Sequence, residues 1–202
     1  IWSRGDPVPL ANNPPGLPGQ NLGDNPDDNP QPANVAPTPG NDQFDARPGA
    51  NIIDGGEGID QVVYELNRAD FDLIANLDSF VVQSKNGTYS NTLKNIERIK
   101  FNDTSIALDV DKEQIGGQAV LALGALLGPD SINNPAVVGL VVGLLDDGMS
   151  FDELAVAAIE ALSLQSNDAL VTTLWTNIVG AAPSESDKAS VISLLDSGTS
   201  PT

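Results

Sequence analysis

Hydrophobic and polar residues follow two different patterns along the chain, and the change between them lies near residue 113. Between residues 40 and about 110, short segments rich in β-forming residues are separated by turn residues, which predicts strands. These segments are QVVYEL, ADFDLIANL, SFVVQS, TYSNTL, ERIKF and SIALDV. The turn Lys85–Thr88 predicts a hairpin, because Asn-Gly accepts the positive φ angles of a type I′ turn.

From about residue 113, apolar residues recur at helical spacing. We predict helices near 114–127, 135–146, 151–163, 168–179 and 185–196. Helix-start signals precede three of them, at Asn134, Ser150 and Ser184. Glycines fall where C-terminal caps belong, at Gly128, Gly148, Gly180 and Gly198.

The predicted helices contain an internal repeat. Two segments are similar to each other: GLLDDGMS (143–150) and SLLDSGTS (193–200). Each follows a segment that ends in glycine, ALGALLG (122–128) in the first case and LWTNIVG (174–180) in the second. Repeats of this kind indicate related structural units. We therefore predict an α-helical domain over residues 113–202, built from two related helical-hairpin units, the last cut short.

Residues 1–39 carry most of the prolines, with Asn, Gly and Asp between them. Such a segment cannot form a helix and donates few backbone hydrogen bonds. It predicts an extended linker with polyproline character. The chain begins with Ile1, so we expect it to be part of a longer polypeptide.

Charge and composition narrow the possible functions. The net charge of −19 argues against nucleic acid and anionic membranes as partners, since both require a basic surface. No apolar stretch approaches the roughly 20 residues of a membrane span. The 202 residues include no cysteine and no histidine, which excludes disulfides, thiolate or imidazole metal sites and Ser–His nucleophile pairs. We expect no catalytic site within these residues.

Three turns share one nine-residue frame. Glycine occupies the first position at Gly40, Gly49 and Gly58; an acid or amide follows at Asp42, Asn51 and Asp60; an apolar residue follows at Phe44, Ile53 and Val62. This pattern resembles the nonapeptide repeat GGxGxDxUx of hemolysin-type (RTX) calcium-binding proteins.

The resemblance implies a short parallel β-roll in which eighteen residues make one turn and the apolar residues form the core. Loops 38–42 and 55–60 would then stack, and glycines would let their carbonyl groups turn towards a calcium ion. The implied ligands are the carboxylates of Asp42 and Asp60 and carbonyl groups around Thr38, Gly40, Gly56 and Gly58. The middle loop, 46–51, would stack on residues 64–69, which lack the acid and the glycine. One calcium site and no second one is therefore expected; the alternative is a set of ordinary turns without metal.

A wider resemblance covers roughly residues 40–200. The string TLKNIERIKF (92–101), followed by GQAVLALGALLG and GLLDDGMSFDELA, is similar to exported bacterial proteins in which such repeats lead into a helical domain of the DUF4214 type. That resemblance implies export, often by type I secretion, and a location on or outside the cell.

Together these features predict an α+β chain: a Pro-rich linker (1–39), a β-roll with further antiparallel strands (40–112) and a helical bundle (113–202). We expect a non-catalytic calcium-binding module of an exported bacterial protein, which acts in surface assembly or adhesion and contacts itself or other surface proteins. The alternative is the C-terminal secretion or stability tail of a secreted hydrolase or peroxidase.

Overall fold

The computed structural model describes residues 8–10 and 37–197, and this part of the chain is α+β, as predicted. Its strands are β1 (Val8–Leu10), β2 (Gln43–Asp45), β3 (Gly49–Asp54), β4 (Gln61–Val63), β5 (Phe71–Ala75), β6 (Phe80–Ser84), β7 (Tyr89–Lys94), β8 (Arg98–Lys100) and β9 (Ser105–Ala107). The helices follow the strands: α1 (Ile115–Leu127), α2 (Pro135–Asp146), α3 (Phe151–Ala161), α4 (Asn167–Val179) and α5 (Glu185–Asp196). The five predicted helices are all confirmed.

The strands form two sheets. The larger has the order β1-β9-β8-β4-β2, and the smaller has the order β3-β7-β6-β5. Strands β2, β4 and β8 are parallel neighbours, whereas β8, β9 and β1 pair antiparallel. In the smaller sheet, β3 is parallel to β7, and β5, β6 and β7 pair antiparallel. Successive strands β2, β3 and β4 alternate between the sheets, so the chain winds once around the space between them.

The nine-residue frame has a structural basis in this winding. Gln43 pairs with Gln61, eighteen residues later, because one turn of the chain contains two frames. The apolar residues of the three frames are buried: Phe44 is 7% exposed, Ile53 2% and Val62 0%. They belong to one hydrophobic core between the sheets, as predicted.

The predicted partner of the middle loop is wrong. Strand β3 pairs with β7 rather than with residues 64–69, and the amide of Gly49 donates to the Thr88 carbonyl at 2.7 Å. After β4, Tyr64 is buried against the rings of Phe71 and Phe101, at centroid distances of 4.8 and 5.5 Å. The chain then continues into the β5–β6 hairpin before it returns to β3. Because this hairpin is inserted after β4, β7 becomes the parallel neighbour of β3 in the smaller sheet.

The predicted hairpin around Asn86-Gly87 joins β6 to β7. Its turn is not of type I′, because Gly87 has a φ of 76° whereas Asn86 is not among the residues with positive φ. The Gly87 amide donates to the Ser84 carbonyl at 2.9 Å, and Asn86 Oδ1 accepts from the Thr88 amide. The side chain of Asn86 thus stabilises a longer turn than the sequence predicted.

Helices α1, α2 and α3 pack around a second core, which includes Ala107 of β9. The predicted caps Asn134 and Ser150 accept hydrogen bonds from the first amides of α2 and α3. The pairs α1–α2 and α4–α5 have the same helix lengths, 13 and 12 residues, as the sequence repeat suggests. The end of that repeat, including Gly198, lies outside the described residues. So does most of the predicted linker, apart from its last residues and the edge strand β1, which pairs with β9.

A buried arginine connects the larger sheet to the helices. Arg98 of β8 is 3% exposed and binds Asp146 at the end of α2, with Nε–Oδ2 and Nη2–Oδ1 distances of 3.0 and 2.6 Å. Its Nη1 also contacts Asp109 Oδ1 at 2.5 Å. Burial alone would lower the pKa of Arg98, but the hydrogen bonds and charges of Asp146 and Asp109 raise it above its ordinary value.

Replacement of Arg98 by methionine should therefore strongly destabilise the protein. The change leaves Asp109 and Asp146 buried without a cation, and breaking a buried pair in this way costs about 3–5 kcal/mol. Urea unfolding measures the difference. The matched control is Lys100→Met on the same strand, where the side chain is exposed and the expected change is within about 0.5 kcal/mol. Equal effects of the two substitutions would contradict the proposed role of Arg98.

Candidate metal centre

Three acidic residues lie side by side where the parallel strands of the larger sheet begin. Asp42 precedes β2, Asp60 precedes β4 and Glu97 precedes β8. The first residues of these strands, Gln43, Gln61 and Arg98, are in register. We call residues 38–45, 55–63 and 95–100 the first, second and third rungs. The first gap separates the first two rungs, and the second gap separates the second from the third.

Hydrogen bonds link the acids of adjacent rungs. The Asp42 amide donates to Asp60 Oδ1 at 2.7 Å, and the Asp60 amide donates to Glu97 Oε2 at 2.8 Å. At the end of the row, the amide and hydroxyl of Thr38 donate to the Asp42 carboxylate at 2.9 Å. Each carboxylate is therefore held in a fixed position by a backbone amide.

The glycines of the second rung allow the first two rungs to stack closely. Gly58 has a φ of 136°, and a Cβ atom at this position would lie 2.6 Å from the Gly40 carbonyl oxygen. A Cβ atom on Gly56 would lie 3.2 Å from the Thr38 carbonyl oxygen. Only glycine tolerates both this backbone angle and this approach. The structure thus brings together the six residues that the sequence predicts as ligands: Thr38, Gly40, Asp42, Gly56, Gly58 and Asp60.

Asp60 is the most unusual member of the row. It is 0% exposed, and its Oδ2 atom is buried without a hydrogen-bond partner. Burial raises its pKa from 3.8 to about 7; the Asp42 amide opposes this shift, and the charges of Glu97, Asp42 and Asp54 add to it. Within residues 37–197, no basic side chain forms an ion pair with Asp60. A buried carboxylate in this state is costly unless it takes up a proton or binds a cation.

Glu97 is the member of the row that sequence reasoning did not predict. It lies 37 residues after Asp60, outside the eighteen-residue frame, because the β5–β6 hairpin lies between the two rungs. Burial raises its pKa as well. A weak signal was available, since each acid is followed by a long polar residue and an apolar residue, as DQF, DQV and ERI.

The oxygen atoms of these rungs fit a hard cation. Calcium binds carboxylate and carbonyl oxygens in flexible arrangements of six to eight ligands, and the rungs supply both types. Among residues 8–10 and 37–197, no group of three or more acidic side chains converges on one point. Backbone carbonyl groups would therefore have to supply much of the coordination, as the close stacking of Gly56 and Gly58 on the first rung permits.

No family model and no curated protein matches this chain. Among solved structures, the chain is similar to the extracellular lipase LipA from Serratia marcescens, with 17% sequence identity and a TM-score of 0.25. The match covers 31% of this chain and 11% of the lipase chain. Among the described helices, none is long and apolar enough to cross a membrane.

Replacing the first glycine of each frame by alanine should distinguish the cost of backbone strain from the cost of steric contact between the rungs. Gly40→Ala should change stability by less than about 0.5 kcal/mol, because a Cβ atom there meets nothing within 4 Å. Gly49→Ala should cost about 1–2 kcal/mol for its φ of 94° alone. Gly58→Ala should cost about 1–3 kcal/mol more, since it also forces the rungs apart. Urea unfolding ranks the variants, and equal costs at Gly49 and Gly58 would contradict close stacking.

The pKa of Asp60 predicts an unusual pH dependence in calcium-free buffer. The folded protein holds a proton on Asp60 up to about pH 7, whereas the pKa of an exposed aspartate is 3.8. The folded state thus binds more protons between these pH values, so the contribution of Asp60 to stability is lost as the pH rises through 7. Urea unfolding with a chelator measures the free energy of unfolding at pH 5.5 and at pH 8. The decrease between these pH values should be smaller for Asp60→Asn than for the unmodified protein.

The control for this experiment is Asp45→Asn, an exposed position three residues beyond Asp42 in the first rung. It removes the same charge and should retain the full pH dependence. If Asp60→Asn also retained the full dependence, another group would be responsible.

Proposed function

We propose that the β-strand part of this chain is a short β-roll that folds fully only when calcium binds between its first two rungs. The ligands are the carboxylates of Asp42 and Asp60 with backbone carbonyl groups from Thr38, Gly40, Gly56 and Gly58. The proposal assigns no catalytic role to these residues.

The observation that carries the proposal is that two glycine-rich loops, eighteen residues apart, stack closely beside the fully buried carboxylate of Asp60. Ordinary hairpin turns require neither this stacking nor a buried acid. The Gly40 carbonyl faces Gly58, and Asp60 Oδ1 accepts from the Asp42 amide, so both rungs place oxygen atoms at the first gap.

Without a cation, this edge of the sheet is destabilising. The negative charges of Asp42, Asp60 and Glu97 repel one another. Water cannot solvate the Asp60 carboxylate while the rungs remain stacked. Bound calcium would supply the positive charge that these carboxylates lack. Binding energy then becomes folding energy, because the oxygen atoms occupy these positions only in the stacked state.

An exported setting would supply enough calcium to fill a site of this kind. Extracellular calcium modules bind the ion at about 10⁻⁴–10⁻³ M, well above the calcium concentration inside cells. The chain would therefore remain loosely folded before export and become compact outside. Its net charge of −19 and its lack of cysteine suit this setting.

The helical domain would then serve assembly or adhesion at the cell surface. Helices α4 and α5 bury few side chains and expose several large apolar ones, Ile178, Val179 and Leu194. Exposed apolar residues support contact with another protein or a second copy.

Calcium titration tests the proposal. In 10 mM calcium, a site with this affinity stabilises the folded state by about 1.4–2.7 kcal/mol relative to chelator. For a chain of this length, that corresponds to a rise in melting temperature of about 3–10 °C. Calorimetry should show saturable binding, and far-UV circular dichroism should show a gain in β signal.

Two variants make the test specific. Asp42→Asn should weaken binding at the first gap, and Asp60→Asn should abolish both binding and the calcium-dependent rise in melting temperature. Asp60→Asn should nevertheless fold well in chelator, since an amide has no charge to desolvate. The exposed Asp45→Asn again serves as the control. No heat and no thermal shift in the unmodified protein would refute the proposed function.

A further inference from the structure

We propose that the second gap holds a second calcium ion, bound by Oδ2 of Asp60, the backbone carbonyl group of Asn95 and the carboxylate of Glu97. The inference rests on the proposed function, because it extends the same row of acids by one rung. The sequence resemblance implies only one site, and Asn95 and Glu97 belong to none of the glycine-rich loops.

The two carboxylate oxygens of Asp60 have different surroundings. Oδ1 accepts a hydrogen bond from the Asp42 amide and thus faces the first rung. Oδ2 has no hydrogen-bond partner, and a Cβ atom on Gly55 would lie 2.5 Å from it. The Asn95 carbonyl oxygen lies closer still to that same point. The unpartnered oxygen is therefore directed at the third rung.

These distances suit a shared ion. Two oxygens within 2.5 Å of one point are no more than about 5 Å apart, and calcium, with bonds of 2.3–2.6 Å, spans about that distance between two ligands. Gly55 is the residue that permits the arrangement, because any side chain there would collide with both oxygens. The glycine pair at 55–56 thus serves both gaps, with Gly56 at the first and Gly55 at the second.

The third rung is fixed in place around this point. Asn95 has a φ of 48°, a left-handed angle that asparagine tolerates, and its Nδ2 donates to Asp54 Oδ1 at 2.8 Å. The Gly55 amide donates to the Lys94 carbonyl at 3.0 Å. The backbone around the Asn95 carbonyl group is therefore held against the second rung, and a third acid, Asp54, lies nearby.

Glu97 supplies the second carboxylate. Its Oε2 accepts from the Asp60 amide, so its carboxylate lies against the second rung, with Oε1 as its other oxygen. The nearest buried cation, Arg98, does not neutralise this pair. Its guanidinium group binds the Glu97 carbonyl at 2.7 Å together with Asp109 and Asp146, and is thereby already engaged.

An open cleft borders the third rung beside this site. Asn95 and Glu97 line a cavity of about 600 Å³, whose walls also include Asp78, Asp109 and Asp111. Negative charge along such a cleft raises the local concentration of cations. The second gap thus combines oxygen ligands in fixed positions with a negatively charged cleft beside the third rung.

Calcium stoichiometry tests the inference. Isothermal calorimetry and equilibrium dialysis at pH 8 should give two ions per chain for the unmodified protein. Glu97→Gln should reduce the number to one, and Asp42→Asn should also reduce it to one. Glu97→Gln keeps an oxygen that accepts from the Asp60 amide, so the far-UV spectrum should be unchanged. The control, Glu57→Gln, removes an exposed charge from the second rung and should leave two ions bound.

The outcomes separate this inference from the proposed function. One ion per chain that is lost in Asp42→Asn and kept in Glu97→Gln would overturn the second site and leave the first intact. Two ions in both the unmodified protein and Glu97→Gln would place the second ion elsewhere and overturn the inference. No calcium binding in the unmodified protein would overturn both proposals.

Discussion

The burial of Asp60 between two stacked rungs is the constraint on which the rest of this structure depends. The parallel pairing of β2 with β4 and of β4 with β8 leaves no room for solvent around its carboxylate. Its amide and its Oδ1 atom have backbone or carboxylate partners on both sides, but Oδ2 has none. The fold thus disfavours the charged form of Asp60, which raises its pKa to about 7, and supplies no basic side chain to neutralise it among residues 37–197.

The same edge of the sheet is connected to the helices. The Asp60 carbonyl accepts from the amides of Glu97 and Arg98 at 3.1 and 2.9 Å. Arg98 in turn holds Asp109 and Asp146, and Asp109 Oδ2 accepts from the Gly116 amide in the first turn of α1. Under the proposed function, calcium bound to this row of acids would therefore also order the contact between the strands and the helical domain.

The β5–β6 hairpin explains why this row has three members rather than two. It follows β4 and occupies the far side of the smaller sheet, while β7 pairs with β3 in the place of a further repeat. The chain then re-enters the larger sheet as β8, in parallel register with β4. Glu97 thereby takes the position of the next repeat acid, although it belongs to no repeat.

The sequence predicted the local features of this protein well. Apolar periodicity, caps and turn residues act over a few residues, so the five helices, the Asn134 and Ser150 caps and the β6–β7 hairpin follow from them directly. The nine-residue frame also predicted which residues of the first two rungs lie together, because its period equals half a turn of the chain around the core. These features depend on the spacing of residues along the chain, which the sequence shows directly.

Only the tertiary structure placed Glu97, Asn95 and Gly55 beside Asp60, and only it showed that β3 pairs with β7 instead of residues 64–69. Both facts depend on where the chain resumes its winding after an insertion, and that is decided by packing, such as the burial of Tyr64 against Phe71 and Phe101. The sequence by itself thus determined which residues form the repeat, whereas three-dimensional pairing decided which residue outside the repeat completes it.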